Sequence, residues 1–181
     1  MHNAQQQQPD LDLAVRMMAR LVEGHTLGAM LGFSEESQEA LYALGHCLYG
    51  QARYEDALRV FGFLLTHNHL ERRYYLAFGA CLQMLSRLED ALKYYGMASF
   101  MDMTDPEPVF HAAHCLLALG RRKEAGEALE YAQCMARGVA PHAELSERIS
   151  ALLDLLARGR SDPAGAPAPA EPAEVKTTHG A

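Results

Sequence analysis

Apolar residues recur at helical spacing from the N-terminal segment onward. After Asp10, apolar residues three or four positions apart form one stripe, the period expected of an α-helix face. The stripe consists of Leu11, Val15, Met18 and Val22. The predicted helix has Asp10 as its N-cap and ends near Gly24. Residues 24–34, "GHTLGAMLGFS", are too rich in glycine to predict a helix and are interpreted as an apolar connector.

From Ser34 to about Arg137 the pattern is helical throughout, without the alternation typical of strands. At residues 104–108 the sequence "TDPEP" is a helix start signal, with Thr or Asp as the cap and Pro in the first turn. A last helix is predicted from about His142 to Ala157. Its apolar stripe is Leu145, Ile149, Leu152, Leu153 and Leu156. Breaks between helices are predicted near residues 50–53, 68–69, 86–87, 104–108 and 120–121.

A period of 34 residues underlies this helical pattern. Residues 52–64, "ARYEDALRVFGFL", and 86–98, "SRLEDALKYYGMA", share six identical positions, and "GRRKEAGEALEYA" at 120–132 is a weaker third copy. Two helices per 34 residues are the signature of the tetratricopeptide repeat. The tryptophan position of the repeat never holds Trp here, and its final proline position holds His69, Met103 and Arg137.

Each repeat places small residues where its two helices approach and a large apolar residue between successive repeats. The small residues are Gly45, Gly79 and Ala113, with Ala57, Ala91 and Ala125; the large ones are Phe61, Tyr95 and Leu129. Because no repeat buries its apolar face alone, three stacked repeats form a short all-α solenoid. The predicted organisation is a disordered segment 1–9, an N-terminal helix and connector 10–33, three repeats 34–137, a C-terminal capping helix 138–158 and a disordered Pro/Ala-rich tail 159–181.

The first helix of each repeat lines the concave face of such a solenoid. Four positions per repeat, counted from the small residue at the helix crossing, are predicted to face this groove. They are Glu39, Tyr42, His46 and Tyr49; Arg73, Leu76, Ala80 and Gln83; and Glu107, Phe110, His114 and Leu117. Aromatic and aliphatic side chains with few polar groups favour an extended peptide with apolar anchors. A site for a peptide carboxylate would need several Lys or Arg, and only Arg73 qualifies.

Composition narrows the classes of function. The chain has 181 residues, is 49% hydrophobic, and carries 16 basic and 23 acidic residues, for a net charge of −7. Without a basic cluster, nucleic-acid binding and adsorption to an anionic membrane are not expected. No apolar run approaches the ~18 residues of a membrane span, and no secretory signal is visible. Four cysteines fit a reduced, cytoplasmic compartment better than a disulfide scaffold.

A metal site and catalysis are weighed against simpler interpretations. Cys47, Cys81 and Cys115 recur every 34 residues near several histidines, but no C-x₂-C spacing accompanies them. Equivalent positions of stacked repeats select small apolar residues, and buried free Cys behaves as one. No phosphate loop or nucleophile motif is present. We therefore expect no metal, no cofactor and no enzyme activity.

Several stretches also resemble a known family, the class II chaperones of type III secretion systems that serve translocator proteins (SycD/LcrH type). The resemblance covers about residues 12–157 and is most specific in "FGACLQ" at 78–83, the A-x₃-Y-x₅-MD pattern at 91–102 and "FHAAHCLL" at 110–117. In this family Tyr42 and Tyr49 match aromatic groove residues, whereas His46 replaces a large aromatic residue. The Pro/Ala tail is not part of the family pattern.

The resemblance implies a cytosolic bacterial chaperone that binds hydrophobic translocators before secretion. A short partner segment with a P-x-L-x-x-P-like pattern would lie extended in the groove. The resemblance further implies a homodimer formed through the N-terminal helix region, with the Leu11, Val15, Met18 and Val22 stripe as its interface, and in some members a transcriptional activator as partner. The alternatives are a generic tetratricopeptide-repeat scaffold or regulator for another protein, and an enzyme or metal protein with this fold.

Overall fold

The computed structural model describes residues 8–161, and every regular element in that range is helical. A single turn of 3₁₀ helix, Ala140–His142, precedes the last α-helix. The α-helices are α1 (Gln8–Val22), α2 (Leu27–Met30), α3 (Glu35–Gly50), α4 (Tyr54–His67), α5 (Arg72–Met84), α6 (Leu88–Met101), α7 (Glu107–Ala118), α8 (Arg122–Ala136) and α9 (Ala143–Ser161).

Six of these helices form three successive pairs, α3 with α4, α5 with α6, and α7 with α8. Each pair also packs on the next through α4 with α5 and α6 with α7, and α9 packs on α8 in the same way. Most of the packing is therefore between helices that are adjacent along the chain, as in a solenoid. The prediction of an all-α solenoid of three tetratricopeptide repeats, with an N-terminal and a C-terminal helix, is confirmed.

The helix ends differ from the prediction in two places. Helix α1 begins at Gln8, so Asp10 lies in its first turn rather than at the N-cap; an acidic residue is favourable there because of the helix dipole. Helix α9 continues to Ser161, four residues beyond the predicted end at Ala157. Disorder was predicted for residues 1–9 and 159–181, but residues 8–9 and 159–161 are helical. The remaining residues of these two segments, 1–7 and 162–181, lie outside the described part of the chain.

The connector contains a short helix that was not predicted. Thr26 is the N-cap of α2, and its side-chain oxygen accepts a hydrogen bond from the backbone N–H of Ala29 at 3.2 Å. Gly28 is buried in this helix, where an added Cβ would lie 3.0 Å from the backbone oxygen of His67. The glycine therefore serves close packing of α2 against α4 rather than chain flexibility.

The "TDPEP" signal does start α7, but the cap differs in detail. By backbone position the N-cap is Pro106, while the Asp105 carboxylate accepts a hydrogen bond from the Glu107 N–H at 2.9 Å. Thr104 donates instead to Asp102, so it does not cap α7. Asp105 also pairs with Arg72 at the start of α5. One carboxylate therefore joins the beginnings of two neighbouring first helices.

The turn between the two helices of each repeat uses a left-handed residue. Ala52 and Ser86 have φ of 59°, and Gly120, at the equivalent position of the third repeat, has φ of 76°. This conformation ends the first helix and reverses the chain over three residues. The second residue of this turn is therefore left-handed in all three repeats, even in the two repeats that have Ala or Ser there instead of Gly.

The two helices of each repeat cross at a small residue. An added Cβ at Gly45 would lie 2.6 Å from the ring of Phe61, and one at Gly79 would lie 3.0 Å from the ring of Tyr95. Both rings are almost fully buried. The crossing in the third repeat pairs the buried residues Ala113 and Leu129. Alanine replaces glycine on the first helix there, and leucine replaces the larger aromatic ring on the second.

We expect Gly45→Ala to lower the free energy of unfolding by about 1–3 kcal/mol, because the buried Phe61 ring has no room to move away from the new methyl group. Gly96→Ala is the matched control. It lies within α6, where an added Cβ meets nothing within 4 Å, so helix propensity alone should raise stability by about 0.5–1 kcal/mol. Urea denaturation followed by circular dichroism measures both. Equal effects of the two substitutions would contradict the close-packing account.

Candidate functional site

The groove of the first repeat is built on an aromatic cluster. The Tyr42 ring lies 5.6 Å from the Tyr74 ring and 5.8 Å from the Phe61 ring, and His46 lies 4.5 Å from Tyr42. Tyr42 is half-buried and His46 is exposed. Burial raises the pKa of Tyr42, so its hydroxyl is neutral at physiological pH and can donate a hydrogen bond.

Tyr49 is the second predicted aromatic groove residue. It is half-buried and its ring packs 5.2 Å from that of Tyr54, at the start of α4. Burial also raises the pKa of Tyr49. Both predicted tyrosines are therefore held by neighbouring rings while part of each remains accessible, which suits a rigid contact surface for a ligand.

The only cation among the predicted groove residues is neutralised. The Arg73 guanidinium lies 3.2 Å from a carboxylate oxygen of Glu39 and 3.2 Å from one of Glu71. The hydrogen bonds that Arg73 donates to the carboxylates of Glu71 and Glu39 raise the pKa of the guanidinium. The same guanidinium lies 4.8 Å from the centre of the Tyr42 ring, within the range of a cation–π contact. Arg73 therefore links α5 to α3 through its ion pair with Glu39, and its guanidinium is not free to pair with a ligand.

The centre of the groove is apolar with one polar group. Leu76, Ala80 and Gln83 are partly exposed on α5. The buried Tyr95 hydroxyl donates a hydrogen bond to the Gln83 side-chain oxygen at 2.8 Å, which fixes the orientation of that amide. Burial raises the pKa of Tyr95, so this donor is retained across the physiological range.

The third repeat corrects one predicted groove residue. Phe110 is only 2% exposed and packs in a core cluster with Leu129 and Ile149, because α9 covers it. The Arg148 guanidinium lies 4.9 Å from the centre of its ring. Phe110 is therefore not available to a ligand in this structure. His114 and Leu117 remain half-buried, and burial lowers the pKa of His114.

A cleft beside α7 was not predicted from the sequence. It measures about 290 Å³ and lies where the beginning of α7 meets the 3₁₀ turn and α9. Its side chains include Glu107 and His111, and a hydrogen bond from His111 lowers the pKa of Glu107. No sequence signal could have found it, since its far wall depends on how α9 docks. The lining residues are Asp105, Glu107, Phe110, His111, Pro141, His142, Glu144, Leu145 and Arg148.

A buried polar network at the edge of the groove was also missed. The side-chain amide of Gln38 donates to the backbone oxygen of Phe33 at 3.2 Å, and its oxygen accepts from the Asn68 amide at 3.0 Å. The Tyr74 hydroxyl approaches the same oxygen at 3.5 Å. Gln38 thereby joins the connector to the first and second repeats. A single glutamine in the sequence carries no signal for such a network.

The first repeat leaves one flank of α3 uncovered. In the second and third repeats the corresponding face packs against the preceding pair of helices, so Cys81 and Cys115 are buried. No preceding repeat packs on this flank of α3, where Leu44 is 47% exposed and Cys47 is exposed as well. The interpretation of all three cysteines as buried small residues is therefore wrong for Cys47.

Helix α1 exposes much of its apolar stripe. Val15, Met18 and Val22 are 60%, 61% and 86% exposed. The fourth residue of the stripe, Leu11, has a side chain that is not among those the structure describes. An apolar helix face left open to solvent is typical of an interaction surface.

Metal-ligand clusters and membrane-spanning helices are both absent from the described part of the chain. Within residues 8–161 no three or more His, Cys, Asp or Glu side chains gather as potential metal ligands. The helices in that range also include none of sufficient length and apolar character to cross a membrane.

Comparison with known proteins identifies the family. No family model matches the chain. The chain is 33% identical to the low calcium response locus protein H of Yersinia pestis over 140 residues. This aligned region covers 77% of this chain and 83% of the Yersinia protein. The chain belongs to the LcrH family of class II type III secretion chaperones. This family is a type of chaperone rather than a class of enzyme.

Solved structures agree with membership in the LcrH family. A type III secretion complex from Aeromonas hydrophila superposes with a TM-score of 0.76 at 32% identity, covering 81% of this chain and 97% of that one. The chaperone SycD of Yersinia enterocolitica, in complex with a peptide of the translocator YopD, gives 0.67 at 35% identity over 70% of this chain and 97% of that one. SycD has also been solved as an alternative dimer, with a TM-score of 0.68.

The cysteines of this LcrH-family chain give a direct test of its packing. Burial raises the pKa of Cys81 to about 12 and that of Cys115 to about 11, so neither thiol forms the reactive thiolate at pH 8. We expect the exposed Cys134 to react rapidly with Ellman's reagent, and Cys81 and Cys115 to react only after denaturation. Rapid reaction of all four thiols in the native protein would show that the repeats are not packed as described.

Proposed function

We propose that this chain is a cytoplasmic chaperone that binds hydrophobic translocator proteins of a type III secretion system. An extended apolar segment of the partner lies across the concave groove, and the bound partner stays soluble and competent for secretion. The observation that supports this most directly is the aromatic and apolar groove over α3 and α5, whose one cation is already paired. The translocator peptide bound to SycD supports the same conclusion.

The geometry explains how an extended apolar segment would be held. Tyr42, His46 and Leu76 offer ring edges and an aliphatic surface to apolar anchors, which gain from leaving water. The neutral Tyr42 and Tyr49 hydroxyls are available to donate hydrogen bonds to the carbonyls of a bound peptide. The backbone carbonyls of an extended segment have no partner within the segment itself. Because neighbouring rings already hold both tyrosines, little side-chain entropy is lost on binding.

The arrangement disfavours the alternative of a scaffold that binds charged peptide C-termini. Such binding needs free Lys or Arg side chains in the groove, and Arg73 is engaged by Glu39 and Glu71. Measurable preference for a peptide with a free C-terminal carboxylate over an internal apolar segment would favour the scaffold function. A transcriptional activator as a further partner remains a prediction from the family resemblance, and the absence of enzyme activity remains a prediction from the sequence motifs and the family.

Removing the two aromatic contacts should weaken peptide binding. We expect the double substitution Tyr42→Ala and Tyr49→Ala to raise the Kd for a labelled P-x-L-x-x-P peptide at least tenfold, equivalent to about 1.4 kcal/mol. Fluorescence anisotropy measures the Kd, and circular dichroism verifies that the variant is folded.

Tyr131→Ala is the matched control, because Tyr131 is an exposed aromatic residue on α8, which is a second helix of its repeat. Its Kd should equal that of the wild type. Unchanged affinity in the groove variant, or equal loss in the control, would contradict binding in the concave groove.

We further propose that the chain forms a homodimer through its N-terminal end. Two exposed apolar surfaces support this: the α1 stripe, and the α3 flank with Leu44 that no preceding repeat covers. Burying both in a symmetric contact would replace the packing that the later repeats receive from their neighbours. The dimer of SycD supports the proposal.

A charge placed on the α1 stripe should disrupt this dimer. We expect Met18→Asp to weaken self-association at least tenfold in analytical ultracentrifugation, because the buried carboxylate would have no partner. Arg20→Asp introduces the same side chain on the opposite side of α1 and should leave the dimer intact. A wild-type chain that sediments as a monomer, or two variants with equal dissociation, would contradict the proposed interface.

A further inference from the structure

The second repeat differs from the other two in carrying a hydroxyl group at the crossing of its helices. The large residue there is Tyr95, whereas Phe61 and Leu129 fill the equivalent positions of the first and third repeats. Tyr95 is only 1% exposed, and a buried hydroxyl is costly unless it forms a hydrogen bond. Packing at the crossing accounts for the ring of Tyr95 but not for its hydroxyl.

The Tyr95 hydroxyl is held at a fixed point beside the groove. Its ring lies against Gly79, where an added Cβ would be 3.0 Å away. The ring also stacks on that of His111, with centres 5.4 Å apart and an interplanar angle of 18°. The hydroxyl donates its hydrogen bond to the side-chain oxygen of Gln83 at 2.8 Å. A tightly packed ring thus fixes one end of the Gln83 amide.

The other end of this amide is a donor without a partner. Gln83 is partly exposed at a groove position of α5, and none of the described residues accepts a hydrogen bond from its NH₂ group. The amide cannot turn over without breaking the hydrogen bond from Tyr95. An amide side chain can offer both donors and an acceptor, but here the N–H donors are the part left for a ligand.

A backbone carbonyl is the acceptor that an extended apolar segment can supply to these donors. The apolar side chains of such a segment have no acceptor atoms, and its backbone carbonyls have no partner within the segment. Beside Gln83, the groove residues Leu76 and Ala80 offer no side-chain donor. A carbonyl buried there without a hydrogen bond would weaken binding by about 5- to 150-fold.

We propose that the side-chain NH₂ of Gln83 donates a hydrogen bond to one backbone carbonyl of the bound segment and so determines the register in which the segment lies. This inference rests on the proposed function, because it names the polar group that the same groove recognises. Carbonyl and N–H groups alternate along a backbone, so a displaced segment would present an N–H to the Gln83 donors. Tyr95 is then a positioning residue, since it acts through Gln83.

The first test removes the donor while keeping the shape of the side chain. Gln83→Glu can still accept the hydrogen bond from Tyr95 but offers no N–H. We expect it to raise the Kd of the labelled P-x-L-x-x-P peptide about fivefold or more in fluorescence anisotropy. Gln51→Glu is the matched control, because Gln51 is exposed beyond the end of α3 and its amide donates to Cys47 on the uncovered flank. It adds the same charge and should leave the Kd unchanged.

The second test identifies the carbonyl. Each backbone carbonyl of the peptide is replaced in turn by a thiocarbonyl, a weaker acceptor, and each Kd is measured with the wild type and with Gln83→Met. We expect one replacement to weaken binding about threefold or more to the wild type and hardly at all to Gln83→Met. The double-mutant cycle isolates this coupling from effects common to both chains. Tyr95→Phe keeps the ring and should reduce the coupling, because the amide is then free to turn.

The outcomes separate the role of Gln83 from the proposed function. An unchanged Kd in Gln83→Glu, an equal loss in Gln51→Glu, or the same thiocarbonyl effects in the wild type and Gln83→Met would overturn this inference while leaving binding in the groove established. Failure of the peptide to bind the wild type would overturn the proposed function and, with it, this inference. Circular dichroism verifies that every variant is folded.

Discussion

At each helix crossing in the solenoid, one residue must be small because an aromatic or aliphatic side chain of the partner helix occupies the space beside it. The Phe61 ring approaches Gly45 so closely that even a methyl group there would lie 2.6 Å away. This contact determines the separation of α3 and α4, and its equivalents in the other repeats determine the remaining pairs. Since α3, α5 and α7 line the concave face, the crossings also determine the shape of the groove.

The groove depends on the same rings that fill the crossings. Phe61 supports both Tyr42 and His46, with ring centres 5.8 and 5.4 Å away, and Tyr95 orients Gln83 through its hydroxyl. Groove side chains are thus fixed by residues that the fold itself requires. The pairing of Arg73 with Glu39 then neutralises the only cation among the predicted groove residues, and the surface between α3 and α5 is mainly apolar with hydrogen-bonding tyrosines. An extended hydrophobic segment is the ligand that such a surface fits.

Periodic features of the fold were predictable from the sequence because each is repeated. The 34-residue spacing located the helix pairs, the turns and the crossing residues, and the apolar stripe of α9 identified its buried face. Features that occur once were not predictable. Phe110 occupies a groove position by repeat arithmetic, yet α9 covers it. Cys47 occupies a buried position by the same arithmetic, yet no preceding repeat packs against its side of α3. Repeat positions describe the middle of a solenoid, whereas its two ends depend on what packs there.

The most direct test of the account is to locate a bound segment on the chain residue by residue. A P-x-L-x-x-P peptide that carries a photoreactive group at its leucine position is crosslinked to the full-length protein, and the modified residues are identified by mass spectrometry. The account predicts adducts on the first helices of the repeats, at Tyr42, Leu76 or Ala80. Adducts concentrated on the second helices, at Phe63, Met97 or Tyr131, would place the ligand on the other face and contradict it.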